Sequence, residues 1–420
     1  MNRKTLFMVI LGAVIIGAFG FNQVQAQGTI RVGVLYPLTG SLALLGNENL
    51  DGARVAMEMI NEAGGILGKK VEFVSGDAST PDKAQSEAER LISLEGVKII
   101  TGTYSSGLSY AASQVAERHG VVYWETGGIA DRLTERGFKY YFRVPFTASS
   151  NGQLAANLSK NILAQKLGKK PSELKLYIIH EDSDYGTTVG KAAEVQGKEN
   201  GFSVVGRDPY KASTTDLSPL ILRMKALKPD IIIGSSYAND ALLIQRQMKQ
   251  LGVYVSAYIG TGGIHGLPSY AEGLGNVVNG IIDTEGAAKV NPNRLSKDLR
   301  ALSEEWQRRY TAKYKKMISY IAVQGFVGTY LLLKDVLPAA DGTDPEKVRE
   351  AALKLDIPLN GTILGWGVQF AKPGAPMEGT NLRAFPVAQQ WQNGNLVLIY
   401  PDDLKMGDVT MVPLPPWDKR

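Results

Sequence analysis

From Thr29 onward the chain alternates short aliphatic runs with longer stretches whose apolar positions recur at helical spacing. Residues 30–35, 71–74, 98–101, 121–124 and 140–144 predict strands. They are short and rich in β-branched and aliphatic residues with little polar alternation, the pattern of strands covered on both faces. Between them, Leu50, Ala53, Met57 and Ile60 space a helix over residues 50–61, and residues 82–94 predict another. The pattern then begins again, with strands at 174–179, 203–205, 230–233, 258–259 and 280–282 and helices near 187–198, 217–227 and 238–251. Strands separated by helices give parallel sheets with helices on both faces, so the expected fold is α/β with two doubly wound lobes.

After Asp283 the period changes. Leu295, Leu299, Leu302 and Trp306 mark one long helix, residues 320–337 a second and 345–355 a third. Residues 361–400 are strand-like and rich in glycine, and Val412-Pro413-Leu414-Pro415-Pro416 closes the chain without regular structure. If the long helices return to the first lobe and the tail to the second, the chain crosses between lobes three times. The expected division is residues 1–26 as a leader, 27–146 with 285–356 as the first lobe, and 147–284 with 357–420 as the second. A hinge crossed three times lets the lobes close while keeping their register.

The first residues change the picture of where such a chain works. Arg3 and Lys4 precede an apolar run over residues 6–21, and Val24-Gln25-Ala26 places small residues at −3 and −1 of a cleavage point. This is the secretory pattern, with the mature chain beginning at Gln27. No other segment reads as apolar for long enough to cross a bilayer. The chain has no cysteine, which excludes disulfides, a thiol nucleophile, cysteine metal sites and a lipidated cysteine anchor. A freely diffusing periplasmic protein is expected. Of the formal net charge of +5, Arg3 and Lys4 belong to the leader, so the remainder is no footprint for nucleic acid.

Enzyme chemistry is not apparent. His119, His180 and His265 are far apart with no ligand at metal-binding spacing, and neither a G-x-S-x-G elbow nor a Walker A sequence occurs. Residues 260–266 are glycine-rich, but His265 stands where the last glycine of G-x-G-x-x-G belongs. No metal, cofactor or catalytic group is expected.

Three stretches carry a resemblance: Ile30-Arg31-Val32-Gly33-Val34-Leu35-Tyr36-Pro37-Leu38-Thr39-Gly40, then Asn61-Glu62-Ala63-Gly64-Gly65-Ile66-Leu67-Gly68-Lys69-Lys70, then Leu133-Thr134-Glu135-Arg136-Gly137 with Phe142-Arg143. In order and spacing these resemble the type I periplasmic binding proteins of the branched-chain amino acid (Leu/Ile/Val) family, over essentially all of the mature chain. Asp184-Tyr185-Gly186 and Tyr320-Ile321-Ala322-Val323-Gln324 lie where that family has similar segments. The resemblance implies two lobes that close on one small ligand and present it to the permease of an ABC importer. A ligand-sensing receptor for an amide, urea or aromatic acid is the alternative on the same fold.

The resemblance also implies a site. Thr103-Tyr104-Ser105-Ser106-Gly107 matches the segment that holds a ligand carboxylate through a serine and backbone N–H groups, with Ser106 the closer match and Tyr104 a wall. The physics agrees, since a helix start offers unpaired N–H donors and a partial positive charge. In the loop 124–129, Gly127 fits the small residue whose carbonyl meets the ligand amine, while Ile129 replaces a threonine. Tyr185 and Tyr237 match the aromatic lid of the second lobe, and Leu45 stands where relatives often carry an aromatic ring. Amino-acid-binding relatives carry an acid at the position of Gly262. Glu125 is the substitute expected from the opposite lobe; without it, the expected ligand is a small carboxylate lacking an amine.

Overall fold

The structure, a computed structural model, describes residues 28–420, so the leader assigned to residues 1–26 lies outside the described residues. Two sheets organise it. The first holds β1 (Thr29–Tyr36), β2 (Lys70–Asp77), β3 (Ile99–Gly102), β4 (Val122–Glu125) and β5 (Tyr141–Arg143), all parallel, in the order β2-β1-β3-β4-β5. The second holds β6 (Lys175–Glu181), β7 (Ser203–Tyr210), β8 (Ile231–Ser235), β9 (Ala257–Gly260), β10 (Ile282–Glu285), β11 (Val387–Gln392) and β12 (Asn395–Tyr400), in the order β12-β11-β10-β9-β8-β6-β7. β11 and β12 join antiparallel at one edge. Every residue of β3, β4 and β8 is buried, as strands with helices on both faces require.

Helices fill the connections. The Pro81–Ser93 helix starts where Thr80 accepts from the Lys83 N–H and Pro81 takes the first turn, a common N-terminal arrangement. The Ala43–Glu62 helix begins seven residues before the expected start. Its first turn contains Gly46 and Asn47, poor helix formers, but Asn47 Nδ2 donates to the Leu38 and Ala43 carbonyls and holds the turn against the end of β1. Deeper in, a Cβ at Gly52 would lie 1.9 Å from the Ala322 carbonyl oxygen and one at Gly325 2.0 Å from that of Asn49. Glycine on both sides lets this helix and the Tyr320–Leu331 helix touch backbone to backbone.

The long helices after Asp283, Lys297–Tyr314, Tyr320–Leu331 and Pro345–Lys354, lie on the first lobe. Trp124 Nε1 of β4 donates to the Gly328 carbonyl at 2.8 Å, and Arg309 pairs with Glu62. By length and a hydropathy of 1.2 the stretch Tyr320–Ala339 also qualifies as a membrane-spanning candidate, contrary to the sequence expectation. With 83% of that window buried, it is a core helix of the lobe.

The tail corrects the expected division at residue 357. Phe370 packs edge-on against Trp124 and Phe142, with centroids at 5.4 and 5.2 Å, and the backbone of Arg143 exchanges hydrogen bonds with Gly379 and Asn381. Residues 370–381 therefore extend the first lobe beside β5, and the chain returns to the second sheet only at Val387. The Ala148–Leu158 helix, just after the first crossing, was not expected either.

Candidate functional site

In open α/β sheets, ligands bind outside the carboxyl ends of the strands where the strand order reverses. Here the reversals fall at β1/β3 in the first sheet and β6/β8 in the second. The loops leaving these edges line a narrow void between the lobes.

The first-lobe wall begins where β3 ends. Tyr104, Ser105 and Ser106 line the void, and Ser106 opens the Ser106–Arg118 helix. Ser105 takes φ 88° and ψ 141°, a strained backbone for a non-glycine residue, and its side chain makes no capping bond. Such strain is held where the surroundings over-determine it, and it accumulates at functional sites. Ser106 Oγ accepts from the Ala130 N–H at 3.0 Å, which ties this helix start to the next loop and leaves the hydroxyl proton available as a donor.

That next loop follows β4. Gly127 and Ile129 reach the void. A Cβ at Gly127 would stand 2.4 Å from the Thr103 carbonyl oxygen, so the two loops touch only because this residue is glycine. The Ile129 carbonyl is already engaged by the Ala148 N–H and by the buried guanidinium of Arg143, which also reaches Ala130 and Thr380.

Glu125 does not line the void, a correction to the expectation that it meets the ligand. One carboxylate oxygen accepts from the N–H groups of Gly127 and Gly128, the other from Tyr141 OH. The acid is consumed in shaping its own turn. Burial pushes its carboxyl up to about 7 against those hydrogen bonds. Leu45 is likewise absent from the lining; it is buried in the apolar cluster that includes Tyr104, Ile129 and Tyr320.

The second lobe contributes the facing wall. Tyr185 follows a turn fixed by Glu181, whose carboxylate accepts from Ser183 N–H, Ser183 Oγ and Gly186 N–H. Tyr237 precedes the Ala238–Gln250 helix and is held by its own N–H on Asp240. The two rings lie 5.8 Å apart at 45°. Phe146 and Tyr320, near the crossings, are parallel at 6.4 Å and complete an aromatic surround.

Five lining residues were not anticipated: Phe146 and Tyr320, Glu285 at the end of β10, Gly263, and Gln324 in the Tyr320–Leu331 helix. Gly262 sits beside them with φ +74°, and a Cβ there would lie 2.9 Å from Tyr185 OH and 3.1 Å from Glu285 Oε1. Its N–H donates to Asp283. The carbonyl of Gly262 accepts from His265 Nδ1–H at 2.8 Å, so His265 braces the loop, and burial lowers the pKa of its ring to about 4. Among the described residues no group of His, Cys, Asp and Glu is arranged to hold a metal.

The model of the family described as Periplasmic binding protein matches residues 29–390. The chain belongs to that family. Its architecture is the type I fold, with two mostly parallel α/β sheets. A curated relative in this family, Leu/Ile/Val-binding protein homolog 8 of Brucella abortus (strain 2308), is 36% identical over 379 residues, covering 90% of this chain and 92% of the relative. Among solved structures, the branched-chain amino acid transporter substrate binding protein LivJ of Streptococcus pneumoniae, in complex with isoleucine, aligns with a TM-score of 0.73 at 22% identity, covering 89% of this chain and 100% of that one. A solute binding protein of an ABC transporter of R. palustris, in complex with benzoate, aligns at 0.72 and 20%, covering 88% and 95%. At such identities these structures share the periplasmic binding protein fold.

Proposed function

We propose that this chain is the extracytoplasmic receptor of an ABC-type importer, capturing a small carboxylate-bearing solute between its lobes. The observation that carries the reading is the composition of the interlobe void. A helix start with two serines lies on one lobe and a tyrosine pair on the other. The helix start favours an anion, through free N–H donors and its partial charge, and the hydroxyl of Ser106 adds a donor. The tyrosines cover an apolar body while offering hydroxyls. Isoleucine and benzoate, bound by two proteins of the same fold, share a carboxylate on an apolar body.

Contacts to both lobes exist only when the lobes are together, so a solute shifts the population toward closure. The permease then reads the closed shape. On this reading the chain performs no chemistry, and incubation with its ligand returns the ligand unchanged. Exported protein begins at Gln27 and is recovered from a periplasmic extract without detergent; intact mass tests this, and a product retaining residues 1–26 contradicts it.

Calorimetry tests the site. Ser106→Ala weakens binding by ~1.5–3 kcal/mol if its hydroxyl bonds a charged carboxylate, and more than Ser105→Ala does. Affinity equal to the parent in Ser106→Ala assigns that hydroxyl to the Ala130 contact alone.

A further inference from the structure

Arg143 is fully buried at the end of β5, and its guanidinium forms no ion pair among the described residues. Glu125, its register neighbour on β4, directs its oxygens to Gly127, Gly128 and Tyr141 instead. A charge taken out of water without a counter-charge is costly, and only well-directed hydrogen bonds offset that cost.

Those bonds join segments that are remote in sequence. Nη1 donates to the Ala130 carbonyl at 2.8 Å and to that of Ile129 at 3.3 Å, and Nη2 donates to Thr380 Oγ1 at 2.9 Å. Ile129 lines the void, and the Ala130 N–H donates to Ser106 Oγ on the facing loop. Thr380 belongs to the tail just before the third crossing. The backbone of Arg143 holds the same tail, its N–H donating to the Gly379 carbonyl at 2.8 Å and its carbonyl accepting from the Asn381 N–H at 2.9 Å. Asn381 Nδ2 then donates to the Val144 carbonyl at 3.0 Å, where the first crossing begins. The far end of that crossing is held as well, because the Ala148 N–H donates to the Ile129 carbonyl at 2.7 Å.

Between these two anchors lies Phe146, whose ring lines the void and stands edge-on to Trp366 at 5.8 Å. Trp366 Nε1 in turn donates to the Phe385 carbonyl, in the third crossing, at 2.7 Å. The second crossing, over residues 286–296, receives none of these bonds.

We infer that Arg143 is a positioning residue that holds the Ile129 wall of the void and the first and third lobe crossings as one body, so that the shape of the wall follows the state of the hinge. A guanidinium suits this task because its donors point in fixed directions at separate acceptors, whereas an ammonium presents a single nitrogen. Its charge also strengthens each bond, which fixes the direction of every acceptor. The consequence for capture rests on the void being the solute site; the coupling itself is measured without solute.

Hydrogen–deuterium exchange of the full chain tests it in the parent, Arg143→Lys and Thr380→Val, followed in peptides covering residues 126–131, 144–149 and 231–235. Thr380→Val is decisive, because Thr380 does not line the void and the change removes one acceptor while keeping the size of the side chain. It carries the test where Arg143→Lys does not fold. Both variants are expected to exchange ~10-fold or more faster over 126–131 and 144–149, as loss of a hydrogen bond to a charged group implies, and at the parent rate over 231–235. Parent-like exchange of Thr380→Val in the first two peptides overturns the inference, and so does equal acceleration over 231–235, which is a general loss of stability. Spin labels on Lys98→Cys and Lys249→Cys, exposed positions of the two lobes in a chain with no cysteine of its own, read the hinge. Thr380→Val is expected to broaden the distribution of distances between them, and a distribution equal to the parent's overturns the coupling. Failure of the solute-capture reading shows separately, as a chain that takes up no small molecule while these exchange results stand.

Discussion

Glu125, the acid that sequence reasoning placed at the cleft, lies off the void, whereas Glu285, to which it gave no role, lines it. Glu125 precedes two glycines in a loop matching a ligand segment, which made it look available. What could not be read is that the N–H groups of those glycines fold back onto it. Glu285 escaped notice because its strand seemed to end at Ile282, before the polar residues Asp283, Thr284 and Glu285. The usable signal was the strand itself: residues at the carboxyl end of a parallel strand face the ligand edge. The raised carboxyl of Glu125 has a consequence for stability. Its ordinary value is 4.5 and its folded value about 7. Below pH 4.5 both states are protonated and its full contribution is present. As pH rises toward 7 the unfolded chain ionises first, and up to ~3 kcal/mol is lost. Glu125→Gln, measured against the parent by thermal denaturation from pH 4 to 8, flattens this part of the profile; parallel profiles contradict the assignment.

At the scale of elements, the alternation of strand and helix was legible because both sheets bury strands on two faces and leave little polar alternation. The tail was not. Residues 361–400 read as one strand-like block, yet the block divides at about residue 385, the first part pairing with Arg143 and the second with β10. That choice is made by tertiary partners, and local composition does not encode it. The Ala148–Leu158 helix escaped for a related reason. Ser149, Ser150, Asn151 and Gly152 are weak helix formers, but Thr147 caps the first turn, and a Cβ at Gly152 would meet the Val189 carbonyl oxygen at 2.3 Å, so the helix is held by close packing on its neighbour. The glycine contact in the first lobe gives the sharper test. Gly52→Ala places a methyl 1.9 Å from the Ala322 carbonyl oxygen, and the helices must part. A loss of at least ~1–3 kcal/mol in urea unfolding is expected; unchanged stability contradicts the backbone contact.

For the whole molecule, one ion pair among the described residues bridges the lobes. Arg132 Nη1 of the first lobe donates to Asp184 Oδ1 of the second at 2.7 Å, one residue before Tyr185, which lines the void. The guanidinium also lies 3.9 Å from the Tyr110 ring centroid, which keeps it aimed across the gap. Exposed pairs contribute little, so Arg132→Ala weakens ligand affinity only about two- to fivefold, through faster release. The melting temperature without ligand stays unchanged, and Arg132→Asp with Asp184→Arg recovers part of the loss. Equal release rates in parent and Arg132→Ala contradict the role. The central claim is that the void between the lobes holds one small solute, and native mass spectrometry of the purified chain tests it most directly. A single small carboxylate-bearing molecule per chain, lost on Ser106→Ala combined with Tyr185→Ala, is the result predicted. A chain that carries and takes up no such molecule, or that carries it equally well after those substitutions, contradicts the account.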